Sequence, residues 1–214
     1  MSQAGRHQVR AATESQWREL SLALAAAFHH DPVLSWLLPD ESTRAAGLRA
    51  HFEIETRHVV LPHYDGGSTF ATLASDTDDE TGDVVGAALV LPPGRWRTPL
   101  RVQAGHALDY ARVFRRRLPR ALGVLTALER RHPDGPHYYL PYIGVRPDAQ
   151  RRGLGTALLR PVLDRCDREG VPAYLEASAP DNARLYRRLG FRTTQIVGPL
   201  GSPPLELMIR DPAG

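Results

Sequence analysis

Apolar residues recur at two periods along the chain, and the switches between them outline the fold. Trp17, Leu20, Leu24 and Phe28 repeat at the spacing of a helix with one buried face. They predict a helix over "ESQWRELSLALAAAFHH", opened by a capping box of Thr13 and Gln16. Before it, "HQVRAAT" alternates like a strand. After it, "DPVLSWLLPD" is a proline-bounded turn or short helix, and residues 41–60 predict a second helix stopped by Pro62. "STFATLAS" and "GDVVGAALVLP" predict a hairpin around the acidic turn "DTDDETGD". Two helices follow near 99–117 and 120–131, broken at Pro119. "HYYLPYIGV" is rich in Tyr and branched residues and predicts a strand. Pro141 inside it implies an unpaired edge or a bulge. Leu154, Leu158 and Val162 fall four apart, so a helix runs from about Arg152 to Glu169, bent at Pro161 and ended by Gly170. "VPAYLEAS" is another strand, "PDNARLYRRLGF" a short helix from Asp181 to Gly190, and "RTTQIVG" and "PLELMIR" are closing strands.

This order, antiparallel first and then strand–helix–strand–helix, predicts one α/β domain over residues 1–214 around a partly split sheet. At 214 residues and 42% hydrophobic content the chain can bury a core. It holds no signal core and no apolar run of about 18 residues. A soluble, cytoplasmic protein without membrane contact is expected. Cys166 is the sole cysteine, which excludes an internal disulfide and a Cys-based zinc site. It shares a helix face with Leu154, Leu158 and Val162 and is expected to be a small buried side chain. The net charge of +3 suits an anionic ligand without demanding nucleic acid. "RVFRRRLPR" is the strongest basic patch, but it lacks interleaved aromatics, so no nucleic-acid partner is expected. His29 and His30 in "FHHDP" are adjacent and point to different sides of a helix, so no metal is expected there. His51 and His58 share a face only as any such pair does.

The stretch that carries chemistry is "AQRRGLGTALL", residues 149–159. Its glycines let the main chain approach a ligand, and a helix start offers free N–H groups and a positive dipole end. This suits a pyrophosphate. A Walker loop would end in Gly-Lys-Ser/Thr, and "GLGT" has no lysine. A dinucleotide fingerprint would need a third glycine at position 158, which is Leu158. Gln150-Arg151-Arg152-Gly153-Leu154-Gly155-Thr156 instead resembles the Q/R-x-x-G-x-G/A signature of the GCN5-related N-acetyltransferases (GNAT). "YIGVRPDAQ" upstream looks like that family's fourth strand and turn, and "YLEASAPDNARLYRRLGF" downstream like its fifth strand and Asn-x-x-x-Tyr helix. The match covers about residues 137–192. Within the superfamily the chain looks most like the puromycin N-acetyltransferase type, through "YIGVRPDAQRRGLGTALLRPVLD" and "GVPAYLEASAPDNARLYRRLGF"; residues 40–135 carry little resemblance.

The resemblance implies a mostly antiparallel central sheet, splayed at the fourth and fifth strands and flanked by helices. It implies acetyl-CoA as cosubstrate. The backbone of Arg151, Arg152, Gly153, Leu154, Gly155 and Thr156 would hold the pyrophosphate, and "RVFRRRLPR" is either a solvated face or a contact for the coenzyme's 3′-phosphate. Ile143, Gly144 and Val145 would lie at a bulge that exposes N–H and C=O groups to the pantetheine, with one N–H for the thioester oxygen. Asn182 is either a pantetheine contact or a helix-start residue. Tyr186 is implied as the general acid for the leaving thiolate, or is a packed aromatic. Glu176 stands in an otherwise apolar strand. It takes a proton from an acceptor amine, binds the ammonium, or forms a structural salt bridge. Phe28, His30 and Asp31 would form part of the acceptor rim. The expected activity is acetyl transfer to the primary amine of a small molecule, an antibiotic such as puromycin among them, by direct attack in a ternary complex. A protein acetyltransferase and a non-catalytic acyl-CoA sensor are the alternatives. Phe28, Trp36, Phe52 and Trp96 favour a closed pocket. Monomer and homodimer both remain open.

Overall fold

Val84–Leu91 (β3) is buried at all eight positions. A strand with no polar alternation needs cover on both faces. Ala87, Leu89 and Leu91 pack with Leu20 and Leu24 of α1 (Trp17–Ala27) and with Leu48 and Phe52 of α3 (Glu41–Ile54). Val85 and Ala88 pack with Leu154 and Leu158 of α6 (Leu154–Glu169) on the other face. Each large side chain buried in this way contributes roughly 1.5–3 kcal/mol. The structure is a computed structural model that describes residues 8–60, 70–75 and 83–213.

The remaining strands are β1 (Gln8–Ala11), β2 (Phe70–Ser75), β4 (Tyr138–Val145), β5 (Ala173–Ala177), β6 (Arg192–Val197) and β7 (Leu205–Arg210). The seven form one sheet in the order β1-β2-β3-β4-β5-β7-β6. Every neighbour pair is antiparallel except β4–β5. The expected splay is present: β4 and β5 pair only at Tyr138 with Ala173 and Tyr139 with Tyr174, then part. The other helices are α2 (Pro32–Leu37), α4 (Leu100–Phe114), α5 (Leu118–Glu129) and α7 (Pro180–Arg188).

Three local expectations shift. The helix predicted over 41–60 is α-helical to Ile54 and continues as a π-helical turn, Glu55–Val60; Pro62 and the acidic turn at 76–82 lie outside the described residues. The break placed at Pro119 falls at Arg115, whose φ of 46° ends α4. Pro119 instead sits in the first turn of α5, where its missing N–H costs nothing. The bulge implied at Ile143–Val145 lies earlier. Leu89 pairs with Tyr142 and Leu91 with Tyr139, so the extra residue of β4 is accommodated at Leu140–Pro141. A residue without an N–H fits where the ladder is already interrupted. The bulge also resets the alternation, placing Tyr139 and Tyr142 together on the α1 face and Leu140 and Ile143 on the α6 face.

Candidate active site

Two groups of residues meet at the parting of β4 and β5. The first is made of backbone. Ile143, Gly144 and Val145 pair with Ala88, Ala87 and Gly86 of β3 and have no partner on β5. Antiparallel pairing turns alternate residues toward each neighbour. The Arg146 N–H donates to Val85 and the Gly144 carbonyl lies toward Gly86, so Ile143 and Val145 face the gap while Gly144 faces β3. Gly144 is bare for a different reason: a Cβ there would lie 2.7 Å from Ala27 Cβ and 3.1 Å from Phe28 Cε2. It is the seat of α1.

The turn after β4 is held from within. Arg146 pairs with Asp148 at 2.7 Å, and the Gln150 side chain donates to the Val145 carbonyl at 3.0 Å. The Arg152 guanidinium donates to the Asp148 carbonyl at 3.0 Å. Arg151 (φ 63°) and Gly153 (φ 81°) are both left-handed, and Gly153 stands at the helix entry with no side-chain cap. The first-turn N–H groups of Leu154, Gly155 and Thr156 therefore have neither a preceding carbonyl nor a capping oxygen. A Cβ on Gly155 would meet Leu185 of α7 at 3.1 Å. Arg151, Arg152 and Gly153 are exposed and Leu154 is buried, so the cradle opens outward with an apolar floor. These features fit an anionic pyrophosphate. "RVFRRRLPR" lies elsewhere: Arg112, Arg115, Arg116 and Arg117 line a cleft of about 860 Å³ with α2 and α3.

The second group is made of side chains. Glu176 shares the α1 face of β5 with Tyr174, and only 7% of its side chain is exposed. Burial pushes its carboxyl up to about 7, with the Tyr139 and Tyr174 hydroxyls pulling the other way. Among the described residues, its Oε1 and the Tyr174 hydroxyl are buried with no partner in good hydrogen-bond geometry. No arginine pairs with it among the described residues; the nearest cationic candidate is His132, with Nδ1 at 4.0 Å. That argues against the structural salt bridge, because His132 is neutral: burial first, then His137 and Arg97, hold it down to about 3.

Tyr186 and Asp31 approach the same end of β5. Asp31 caps α2, accepting from the Leu34 N–H at 2.9 Å, and takes a hydrogen bond from Ser178 just past β5. Burial raises its pKa against the pull of Ser178 and the backbone of Leu34 and Val33. Tyr186 is 6% exposed, with its phenol pKa raised by burial and by the Asp31 charge. Its ring is 5.9 Å from Phe191. Asn182 is half-buried one turn earlier on α7. Phe28 packs on Phe52 and Tyr142, with centroids 5.3 and 5.9 Å away. His30 is not with them. It lines a cleft with Glu19, Arg49 and Arg146 that includes neither Glu176 nor Tyr186. Trp36 lies under Arg120, whereas Trp96 stacks on His132 at 3.7 Å. Among the described residues no group of His, Cys, Asp or Glu could hold a metal ion. Cys166 is fully buried, with its thiol pushed up to about 12 by burial.

A model of the acetyltransferase (GNAT) family matches residues 28–191. The chain belongs to that family. This GNAT chain is 28% identical over 209 residues to an uncharacterised N-acetyltransferase from Schizosaccharomyces pombe, covering 92% of this chain and 80% of the relative. A Corynebacterium glutamicum crystal structure, described as histone acetyltransferase HPA2 and related acetyltransferase, superposes with a TM-score of 0.68 at 26% identity over 97% of each chain. The PaiA N-acetyltransferase of Thermoplasma acidophilum, solved with coenzyme A, shares the fold at a TM-score of 0.57 and 9% identity over 96% and 99% of the chains. The protein is thus an acetyltransferase of GNAT fold, and GNAT acetyltransferases use acetyl-CoA. No described helix is long and apolar enough to cross a membrane.

Sequence reasoning missed several residues around Glu176. Tyr139 and Tyr142 share its face only because of the bulge, and His132 and His137 come from the loop between α5 and β4. Glu55, pushed up to about 7 by burial against the pull of Tyr110, lies in the π-helical turn. The Tyr110 hydroxyl donates to it at 2.7 Å. Buried carboxyls in a mostly apolar neighbourhood were the one signal open to a reader of the sequence, and Glu176 alone gave it.

Proposed function

We propose that the protein transfers an acetyl group from acetyl-CoA to the amine of a small molecule. The observation that carries this reading is Glu176, a buried carboxyl with no arginine partner among the described residues, on the β5 wall of the gap between β4 and β5. Bound acetyl-CoA supplies the acetyl thioester. The N–H groups of Leu154, Gly155 and Thr156 hold its pyrophosphate, and the gap-facing groups of Ile143 and Val145, with Asn182, orient its pantetheine arm. An N–H on that edge is placed to stabilise negative charge on the thioester oxygen. The Glu176 carboxylate takes a proton from the acceptor ammonium and frees the nitrogen lone pair. Its raised pKa suits this step near neutral pH. The Tyr186 hydroxyl donates a hydrogen bond, or its proton, to the departing sulfur. A phenol so far above its ordinary range gives up its proton only to a strongly basic thiolate. Phe28, with Phe52 and Tyr142, forms the apolar wall, and Asp31 marks its polar edge.

The puromycin-type resemblance rests chiefly on residues 142–164 and 170–191, which supply only Tyr142 of this wall, so puromycin is one member of a test panel and not the assigned acceptor. A protein acceptor is the second reading, favoured by the description of the Corynebacterium structure. Release of free thiol from acetyl-CoA should be measured with polyamines, aryl amines, amino sugars, puromycin and lysine peptides. Turnover of a small amine with a rate set by Glu176 is expected. Turnover of peptides alone would overturn the small-molecule reading, and coenzyme binding without turnover of any amine would leave the sensor.

A further inference from the structure

His132 and His137 form a buried pair whose proton positions can be deduced. His137 Nδ1 lies 2.7 Å from the Gly135 carbonyl oxygen. A carbonyl only accepts, so His137 carries its proton on Nδ1. His137 Nε2 lies 2.8 Å from His132 Nε2. In neutral His137 that nitrogen is an acceptor, so His132 must donate from Nε2. His132 Nδ1 is then bare, and it is the atom 4.0 Å from Glu176 Oε1. Both rings are neutral because burial depresses each pKa. Packing fixes their positions: the His132 ring lies 3.7 Å from Trp96, 4.8 Å from Tyr139 and 4.7 Å from Tyr174.

We propose that His137 is a positioning residue for the base: anchored on the Gly135 carbonyl, it locks His132 with a lone pair turned toward Glu176, so the carboxyl has no imidazole N–H to stabilise its ionised form. At 4.0 Å the two groups are too far apart for a direct hydrogen bond, but a lone pair so placed opposes a carboxylate and suits a carboxyl O–H. The opposite tautomer would turn an N–H toward Glu176, favour its ionised form and make it a poorer base. No proton passes along the pair; the proton taken from the amine rests on Glu176 until solvent removes it. The other groups facing Glu176 are Tyr139 and Tyr142 from β4 and Tyr174 from its own strand, and the Arg97 charge acts on His132. All three phenols have pKa values raised by burial, so none ionises near neutrality.

The inference rests on Glu176 being the base, but its first tests do not need turnover. Long-range ¹⁵N NMR of the wild-type protein should show the Nε2–H tautomer at His132 and Nδ1–H at His137; Nδ1–H at His132 overturns the proposal. In His137→Phe the lock is lost, and the Glu176 midpoint, followed by carboxyl ¹³C NMR, should fall by about one pH unit. His137→Gln restores an acceptor near the Nε2 position and should return the midpoint to the wild-type value. An unchanged midpoint in the Phe variant, or an equal fall in the Gln variant, overturns the lock. The acid limb of kcat/KM should move with the NMR midpoint. If the NMR midpoint moves while the limb stays, the lock exists but Glu176 is not the base.

Discussion

The two walls of the β4–β5 gap are built from different material. On the α6 side the proposed coenzyme cradle is main chain: a left-handed Gly153, uncapped N–H groups and a strand edge without a partner. On the α1 side it is side chains whose protons are displaced by burial, chiefly Glu176 with its tyrosines and histidines. Backbone geometry tolerates many side chains and depends on a few glycines. A buried carboxyl depends on each neighbour. The cradle should therefore fail by degrees under substitution, and the acid site abruptly.

The largest effect is expected from Glu176→Gln, which removes the base and keeps the shape. General-base catalysis is worth about 10²–10⁴-fold, so kcat/KM should fall by at least about 100-fold with CoA affinity unchanged by calorimetry. In the parent, kcat/KM should fall about tenfold per pH unit below the Glu176 midpoint near 7, because the protonated carboxyl is too weak a base to take the amine's proton. Tyr186→Phe should lower turnover by roughly tenfold, one well-placed hydrogen bond in the transition state, with coenzyme affinity intact. Equal turnover in the two proteins would remove Tyr186 from the mechanism. Gly153→Val should weaken CoA binding by about tenfold, since a branched residue at φ 81° is strained by roughly 1–2 kcal/mol or must distort the turn; the amine KM should stay constant.

The smallest effect is on stability. Glu55 and Glu176 have folded-state pKa values raised to about 7 from about 4.5. The folded state thus binds their protons more tightly than the unfolded chain. Their contribution is fully present below about pH 4.5 and is lost as pH rises through 7. Glu55→Gln should accordingly gain on the order of 2–3 kcal/mol relative to the parent between pH 5 and pH 8.5. Denaturant melts at the two pH values check it, and an identical difference at both would show that Glu55 ionises without penalty.

The contrast between the walls also explains how much could be read in advance. The turn and helix start proposed as the cradle were legible because Gly153, Gly155 and the helix stripe of Leu154, Leu158 and Val162 lie within ten residues of one another. The β4–β5 parting followed from the family resemblance that the same stretch and its flanks carry. The acid wall was largely illegible. His132, Tyr142 and Glu55 reach it from three separate elements. Strict alternation from Tyr139 would put Tyr142 on the opposite face; only the bulge at Leu140–Pro141 reverses this, and Pro141 announced an irregularity without saying which side chains it would regroup. His30 lies apart from Glu176 and Tyr186 for a related reason. Adjacent residues at a helix end diverge, and Asp31 turned toward Ser178 while its neighbour turned away.

The contact of Ala27 and Phe28 on Gly144 reaches beyond packing. It clamps the end of α1, which carries Phe28 and leads to Asp31, onto the strand that borders the proposed thioester slot. On the proposed reading, the acceptor-side residues cannot drift without dragging the donor side with them. Diversification among descendants of this scaffold should therefore accumulate in the α3–α5 segment, leaving the α1 corner as a fixed datum against which new amines are gauged.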